Sequence, residues 1–146
     1  MRKHKHLGVY GLIIENDKIL LINKVTGPYD GKLDLPGGSI NFTETPEETL
    51  KREIKEETGL EIEKYELYDA NSVVVPWKYK YKLFKVHHVG IFYKVLSYKN
   101  NIKTKIKIDE INDDSLGANF YTIKDLKKEQ LSEITILELE KLGYTF

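Results

Sequence analysis

The chain has 146 residues, and its 23 basic and 23 acidic side chains cancel to a formal net charge of zero; that length suits one domain, 1–146, with a proper core, and the balance provides no footprint for long nucleic acid or an anionic membrane. Cysteine is absent, which excludes disulfides, thiolate metal sites and a cysteine nucleophile. The start is basic, but the apolar stretch after it is short and broken by Glu15, so neither a signal peptide nor a membrane span is read and the expected location is cytoplasmic.

His4 and His6 stand at i and i+2, a spacing that can bind metal, but so near a terminus the expectation is disorder. Residues 7–14 and 19–25 read as strands, with Glu15-Asn16-Asp17-Lys18 as the hairpin turn between them. Both runs are apolar on both faces, which predicts cover on both sides. Thr26 to Leu33 is a Gly/Pro-rich loop, and Gly37-Gly38 lets the backbone approach a ligand closely.

The most informative stretch is 36–60. Thr45 is a good N-cap, Pro46 suits the first helical position, and Glu48 completes a capping box. Gly59 stops the helix, which is therefore predicted over Pro46 to Thr58. Leu50 and Ile54 fall one turn apart and face a core. Glu53, Glu56 and Glu57, at i, i+3 and i+4, share a neighbouring side, where like charges repel by a few tenths of a kcal/mol per pair. A hard divalent cation would reverse that sign, because oxygen ligands are what Mg²⁺ takes. A solvated charged helix, with Glu47–Lys51 and Glu48–Arg52 as favourable pairs, is the other reading, and spacing leaves both open. Only Arg2 and Arg52 are arginines in a chain that otherwise uses lysine. A planar five-donor fork able to hold two carboxylates at once explains an arginine among these acids.

Beyond the helix, 61–75 carries β-type segments. Pro76-Trp77-Lys78-Tyr79-Lys80-Tyr81-Lys82 alternates aromatic and Lys. It reads first as an edge strand guarded by lysines, with stacking of a base on Trp77 as the alternative. Leu83 to Tyr98 is a long strand in which His87 and His88 point to opposite faces. Residues 99–114 are polar and end in Asp109, Glu110, Asp113 and Asp114. Ala118 to Ile123 is the last strand. Helical segments Lys124–Gln130 and Glu133–Leu142 close the chain, with Ile134, Leu137 and Leu142 facing the sheet. Strands, helix, strands, then helices fit a mixed sheet covered on both faces, an α+β arrangement.

One pattern is more specific than any element. Gly38, then Glu44, then Arg52-Glu53-Ile54-Lys55-Glu56-Glu57-Thr58-Gly59-Leu60 matches, without a departure, the signature of the Nudix hydrolases. Leu35-Pro36-Gly37 before it also resembles that family. Seven fixed positions would match by chance in roughly one of 10⁸ windows.

The resemblance implies the Nudix fold, an α/β/α sandwich with a mixed β-sheet. It implies hydrolysis of the diphosphate linkage of a nucleoside diphosphate joined to another moiety. The cofactor implied is Mg²⁺, or Mn²⁺, which accepts the same octahedral oxygen site. On the matching positions, Glu56 and Glu57 are expected as metal ligands, Glu53 as ligand, general base or both, and a carbonyl of Gly37 or Gly38 as a further ligand. Arg52 would hold the carboxylates, and Glu44 would support Arg52 and the helix end. The loop at 26–33 is expected over the active site, with Lys24 and Lys32 either meeting substrate phosphates or standing as ordinary surface lysines. One acid among Asp109, Glu110, Asp113 and Asp114 is expected to join the metal site or to lie in a solvated loop. The expected partner is a small nucleotide derivative, with neither membrane nor nucleic acid. Within the resemblance the alternatives are an RNA 5′-end pyrophosphohydrolase and a non-catalytic ligand-sensing domain. The absence of cysteine argues against the isopentenyl-diphosphate isomerases that share the scaffold.

Overall fold

The computed structural model describes residues 1–102 and 115–146, so Asp109, Glu110, Asp113 and Asp114 lie outside the described residues. In chain order the strands are β1 (Arg2–Leu12), β2 (Ile14–Glu15), β3 (Lys18–Lys24), β4 (Leu33–Asp34) and β5 (Gly37–Ser39). After α1 (Pro46–Thr58) come β6 (Glu61–Tyr79), β7 (Lys82–Lys99) and β8 (Ser115–Thr122), then α2 (Glu133–Lys141). One sheet runs β5-β1-β7-β6, and a second joins β2, β3 and β4, with β8 also paired to β3. β1 and β7 are parallel and the other pairs antiparallel, so the first sheet is mixed.

Side-chain alternation builds the layers. Along β3, Leu20 and Ile22 join Val9 of β1 and Leu50 and Ile54 of α1 in one core cluster. Ile19 and Leu21 join Tyr10 and Leu12 of β1 and Ile134 and Leu139 of α2 in another. The apolar-on-both-faces reading of these two strands is borne out, because each face has a helix of its own. Within α2 it is Leu139, not Leu137, that accompanies Ile134 into the core.

The α1 ends are as the sequence states them. Thr45 Oγ1 accepts from the Glu48 N–H at 3.1 Å, and Glu48 Oε1 accepts from the Thr45 N–H at 3.0 Å. Gly59 closes the helix at φ 82. Glu48 is thus spent on the cap, and Arg52 pairs elsewhere, so the expected Glu48–Arg52 pair is replaced.

Three expectations are corrected. The segment holding His4 and His6 is strand: residues 2–6 of β1 run parallel to residues 84–88 of β7. Long-range pairing orders them, and nothing in their own sequence signals it. The segment Lys124–Gln130 is not one helix but two short 3-10 turns, Ile123–Asp125 and Lys128–Gln130, with Leu126 and Lys127 extended between them. Burial of Leu126 and Leu131 in the α2-side cluster takes precedence over helical propensity there. The third is partial: β6 is the edge strand expected at 76–82 as far as Tyr79, but the chain turns at Lys80 and Tyr81, with φ of 48 and 65, so that 61–98 form one long hairpin. Such a turn ordinarily selects Asn, Asp or Gly, as Asn16-Asp17 does between β2 and β3. Lys-Tyr carries no such signal.

Candidate active site

β5 and α1 build the site together. β5 pairs with β1 through Gly8–Ser39, Val9–Gly38 and Tyr10–Gly37, and α1 packs over it through Leu50 and Ile54. Arg52 is the hub. Its Nε and Nη2 donate to the two oxygens of Glu44 at 2.7 and 2.9 Å. Nη1 donates to Glu53 Oε1 at 2.9 Å and to Glu56 Oε2 at 3.3 Å, and Nη2 also donates to the Ser39 carbonyl at 3.0 Å. All five guanidinium N–H groups are engaged. The predicted fork therefore holds three carboxylates and a carbonyl, more than the two carboxylates that motivated an arginine.

Glu44 is the best-satisfied acid. It also accepts from the Asn41 N–H at 2.8 Å and the Thr49 hydroxyl at 3.0 Å. The bond from Arg52, followed by that of Asn41, lowers its pKa to about 2. The reciprocal bond from Glu44 raises the Arg52 pKa further above its ordinary value. This pair is fully ionised at neutral pH and forms the rigid floor of the site.

The three helix acids differ in exposure. Glu57 is 1% exposed and its Oε1 accepts from the Gly37 N–H at 2.7 Å. The Glu53 side chain is 14% exposed and that of Glu56 50%. One turn of helix thus presents an inner, a middle and an outer carboxylate. Among the described residues no three acidic or imidazole side chains already converge as a metal cage; Glu53 and Glu56 lean on Arg52 and Glu57 on β5. The donor set nonetheless suits a hard divalent cation, being all oxygen. A bond from Arg52 does not exhaust a carboxylate, which has about four lone-pair sites.

The two glycines are needed here. Gly37 sits at φ 147, and a Cβ on it would lie 2.1 Å from the Val9 carbonyl oxygen. A Cβ on Gly38 would lie 2.6 Å from the Glu53 carboxylate carbon. Gly38→Ala is therefore expected to push Glu53 off the β5 backbone and to lower kcat about 10–100-fold, the usual range for disturbing groups that orient ligands. The melting temperature, measured alongside, separates this from unfolding.

The chain's other candidates sort clearly. Lys32 bonds Glu133 at the start of α2 at 3.1 Å, which makes it a tie between loop and helix. Trp77 stacks on Tyr79 and packs against Phe84. His87 and His88 do occupy opposite faces of β7, and only His88 is buried.

The sequence separates His88 from His87 by face, but does not indicate the partners of His88. Its Nε2 lies 2.5 Å from the Tyr10 hydroxyl and its Nδ1 2.8 Å from the Tyr29 hydroxyl. A neutral imidazole has one donor and one acceptor nitrogen, so one tyrosine donates to it and the other accepts. His6 stacks flat on the same ring at 4.6 Å, and its Nε2 lies 2.9 Å from Ser39 Oγ. The loop before the site and the hub at Ser39 are thus tied through two histidines. No local pattern marks this, since the partners are distant in sequence.

Burial first, then His6 and Lys24, lowers the His88 pKa to about 3. Between about 3 and the ordinary 6.5, the unfolded chain binds a proton that the folded chain does not. Stability therefore rises with pH across that window and is lost as pH falls through it. His88→Phe is expected to cost about 1–3 kcal/mol for each tyrosine hydroxyl left without a partner. It should also flatten the pH dependence, and urea unfolding at several pH values measures both.

A family model for the NUDIX domain matches residues 4–138. The chain belongs to the Nudix family. An ADP-ribose pyrophosphatase from Methanocaldococcus jannaschii is 49% identical to this Nudix chain over 57 residues, covering 39% of the chain and 34% of that protein. The chain thus spans about a third of that relative's length. A MutT NUDIX hydrolase from Burkholderia pseudomallei shares the fold, with a TM-score of 0.73 at 24% identity over 96% of this chain and 99% of that one. A bifunctional NMN adenylyltransferase/ADP ribose pyrophosphatase from Francisella tularensis, in complex with AMP and a Mn ion, has a TM-score of 0.59 at 20% identity, covering 95% of this chain and 42% of that one. The Nudix fold expected from the sequence, a mixed sheet between two helices, is the fold observed. Among the described residues no helix is long and apolar enough to cross a membrane.

Proposed function

We propose that this Nudix domain is a Mg²⁺-dependent pyrophosphohydrolase, cleaving the diphosphate of a nucleoside diphosphate joined to another moiety. The observation that carries the reading is the hub: Arg52 bonded to Glu44, Glu53, Glu56 and the Ser39 carbonyl beside Gly37 and Gly38 of β5. A cluster built only to neutralise charge would not need a second element with no side chains facing it. Relatives named as pyrophosphatases agree in reaction class.

Hydrolysis of a diphosphate requires charge neutralisation, an activated water and alignment. Glu56 and Glu57, Glu53, and a carbonyl of Gly37 or Gly38 are the groups that would hold the divalent ion; when bound, it polarises the phosphoryl oxygen and lowers the pKa of water. Glu53 stands against Gly38 and takes the proton of the attacking water. Arg52 fixes Glu53 and Glu56 from behind, so their positions do not depend on their own torsional freedom. Glu44 holds Arg52 and contacts no substrate. Gly37 lets the strand lie close on β1, and Gly38 lets the Glu53 carboxylate rest against the strand backbone. All the residues given these roles lie in the one domain, and the location proposed for it is cytoplasmic.

The test is a panel of nucleoside triphosphates, dinucleoside polyphosphates, nucleotide sugars, ADP-ribose and NADH, each with Mg²⁺, with Mn²⁺ and with EDTA. Phosphate is assayed after coupling enzymes. Metal-dependent release from one class of substrate is the expected result. Silence across the panel from folded protein overturns the assignment.

A further inference from the structure

The balanced net charge conceals a strong segregation that appears only when the strands are paired. At one end of the first sheet three strands run side by side as a ribbon, with residues 2–6 of β1 beside 84–88 of β7, and these beside 73–79 of β6; one face packs on Tyr29 through Val75 and Val86. The ribbon carries Arg2, Lys3 and Lys5 on β1, Lys78 on β6, Lys82 and Lys85 on β7, and Lys80 in the turn, all exposed. Residues 1–6 and 70–88 contain no aspartate or glutamate. Among the described residues none of these cations is in an ion pair, whereas Lys32, Lys55, Lys99, Lys128 and Lys141 all are.

Strand register sorts the side chains by face. Lys3 pairs with Lys85, which pairs with Pro76; Lys5 pairs with His87, and Lys78 with Leu83. These positions alternate with Val86 and His88, which turn into the protein, so the lysines share the opposite face. Trp77, Tyr79 and Phe84 stack on the other face, and Tyr81, 98% exposed, stands at the tip. The cations are contiguous with the hub: Ser39, which accepts from Arg52, pairs with Gly8, and Lys5 lies about 10 Å along β1 from there at the rise of a strand.

We propose that this ribbon binds single-stranded nucleic acid, beside the carboxylate cluster and independently of what that cluster hydrolyses. The occupant must carry repeated negative charge for lysines that no carboxylate neutralises and a flat π face for Tyr81, since the Tyr79 ring is already stacked by Trp77 and capped by Lys80; a single strand has both. Inorganic polyphosphate has only the first. A bilayer is a plane and would meet one face of the ribbon, whereas the ribbon carries cations on both: Lys3, Lys5, Lys78 and Lys85 on one face, and Arg2 and Lys82 beside Phe84 and Tyr79 on the other.

The experiment is fluorescence anisotropy with a short labelled RNA or DNA homopolymer bearing a 5′-hydroxyl, so that no diphosphate is present to engage the hydrolytic centre. Binding is expected to weaken about 50-fold between about 50 mM and about 200 mM salt, as neutralisation of four phosphates on a single strand requires. Lys3→Ala/Lys5→Ala/Lys85→Ala, all at exposed positions, is expected to lower the affinity at least tenfold and to halve the salt slope or more, with an unchanged melting temperature. Tyr81→Ala is expected to lower the affinity about tenfold with the salt slope retained. Absence of binding by the unaltered protein overturns the proposal, as does equal affinity in the lysine variant, or binding of phosphatidylserine vesicles without binding of the oligonucleotide. Should the triple variant lose stability, the salt slope of the unaltered protein alone decides.

Discussion

Replacing Glu57 by glutamine is expected to lower kcat about 10²–10⁴-fold, the scale on which losing a charged catalytic group acts. The substitution is informative because the two side chains have the same shape. Glu57 is 1% exposed and accepts from the Gly37 N–H at 2.7 Å. The amide oxygen of glutamine accepts the same bond, so α1 stays docked to β5 while the negative charge is removed. If charge at this position serves to hold a divalent ion, the variant keeps its melting temperature and loses both turnover and the stabilisation by added Mg²⁺ that is expected of the parent. Near-normal turnover in Glu57→Gln and in Glu56→Gln removes the metal-ligand assignment. A matched fall in melting temperature and activity assigns Glu57 to the strand–helix contact alone.

Arg52→Lys is expected to lower kcat/KM about 10–100-fold, although the charge is conserved. An ammonium has three donors on one atom, whereas Arg52 uses five on three atoms to reach Glu44, Glu53, Glu56 and Ser39. Lysine cannot hold Glu44 in a two-pronged bond and steady Glu53 at once. The change also has a signature in acid. Bonding to Arg52 above all lowers the Glu44 pKa from the ordinary 4.5 to about 2. A group lowered in the folded state contributes stability that is complete above its unfolded value and is lost as pH falls toward the folded value. The parent should therefore lose this contribution between about 4.5 and about 2, and Arg52→Lys should show a smaller loss over that window because it starts with less of the contribution. Acid titration followed by circular dichroism reads this. Parallel acid curves for parent and variant would show that the bond does not couple to folding.

Much of the candidate site was legible because its chemistry is local. Glu44, Arg52, Glu53, Glu56 and Glu57 lie within two turns of helix and its lead-in, where 3.6-residue periodicity converts sequence spacing directly into spatial neighbourhood. Thr45, Pro46, Glu48 and Gly59 mark the helix ends by local hydrogen bonding and φ preference, and they mark them correctly. The scarcity of arginine pointed to Arg52 as a hub before any geometry was known. Ser39 was not foreseen, since a backbone carbonyl has no residue type to announce it. The Glu48–Arg52 pair was expected because helix spacing allows it; the cap and Glu44 compete for the same groups and win.

What the sequence by itself determined was the helix, its caps, the carboxylate face, the family and hence the layered fold, all of which rest on interactions closed within a few residues. Only the tertiary structure decided which distant segments pair. It ordered the histidine-bearing start as a parallel partner of β7, turned β6 into β7 at a Lys-Tyr pair without glycine, and broke the segment at 124–130 into two turns. It also set His88 between Tyr10 and Tyr29, and gathered onto one ribbon the cations that a whole-chain charge count cancels. Pairing between strands far apart in sequence depends on long-range hydrogen bonding and burial, and no local pattern encodes those contacts.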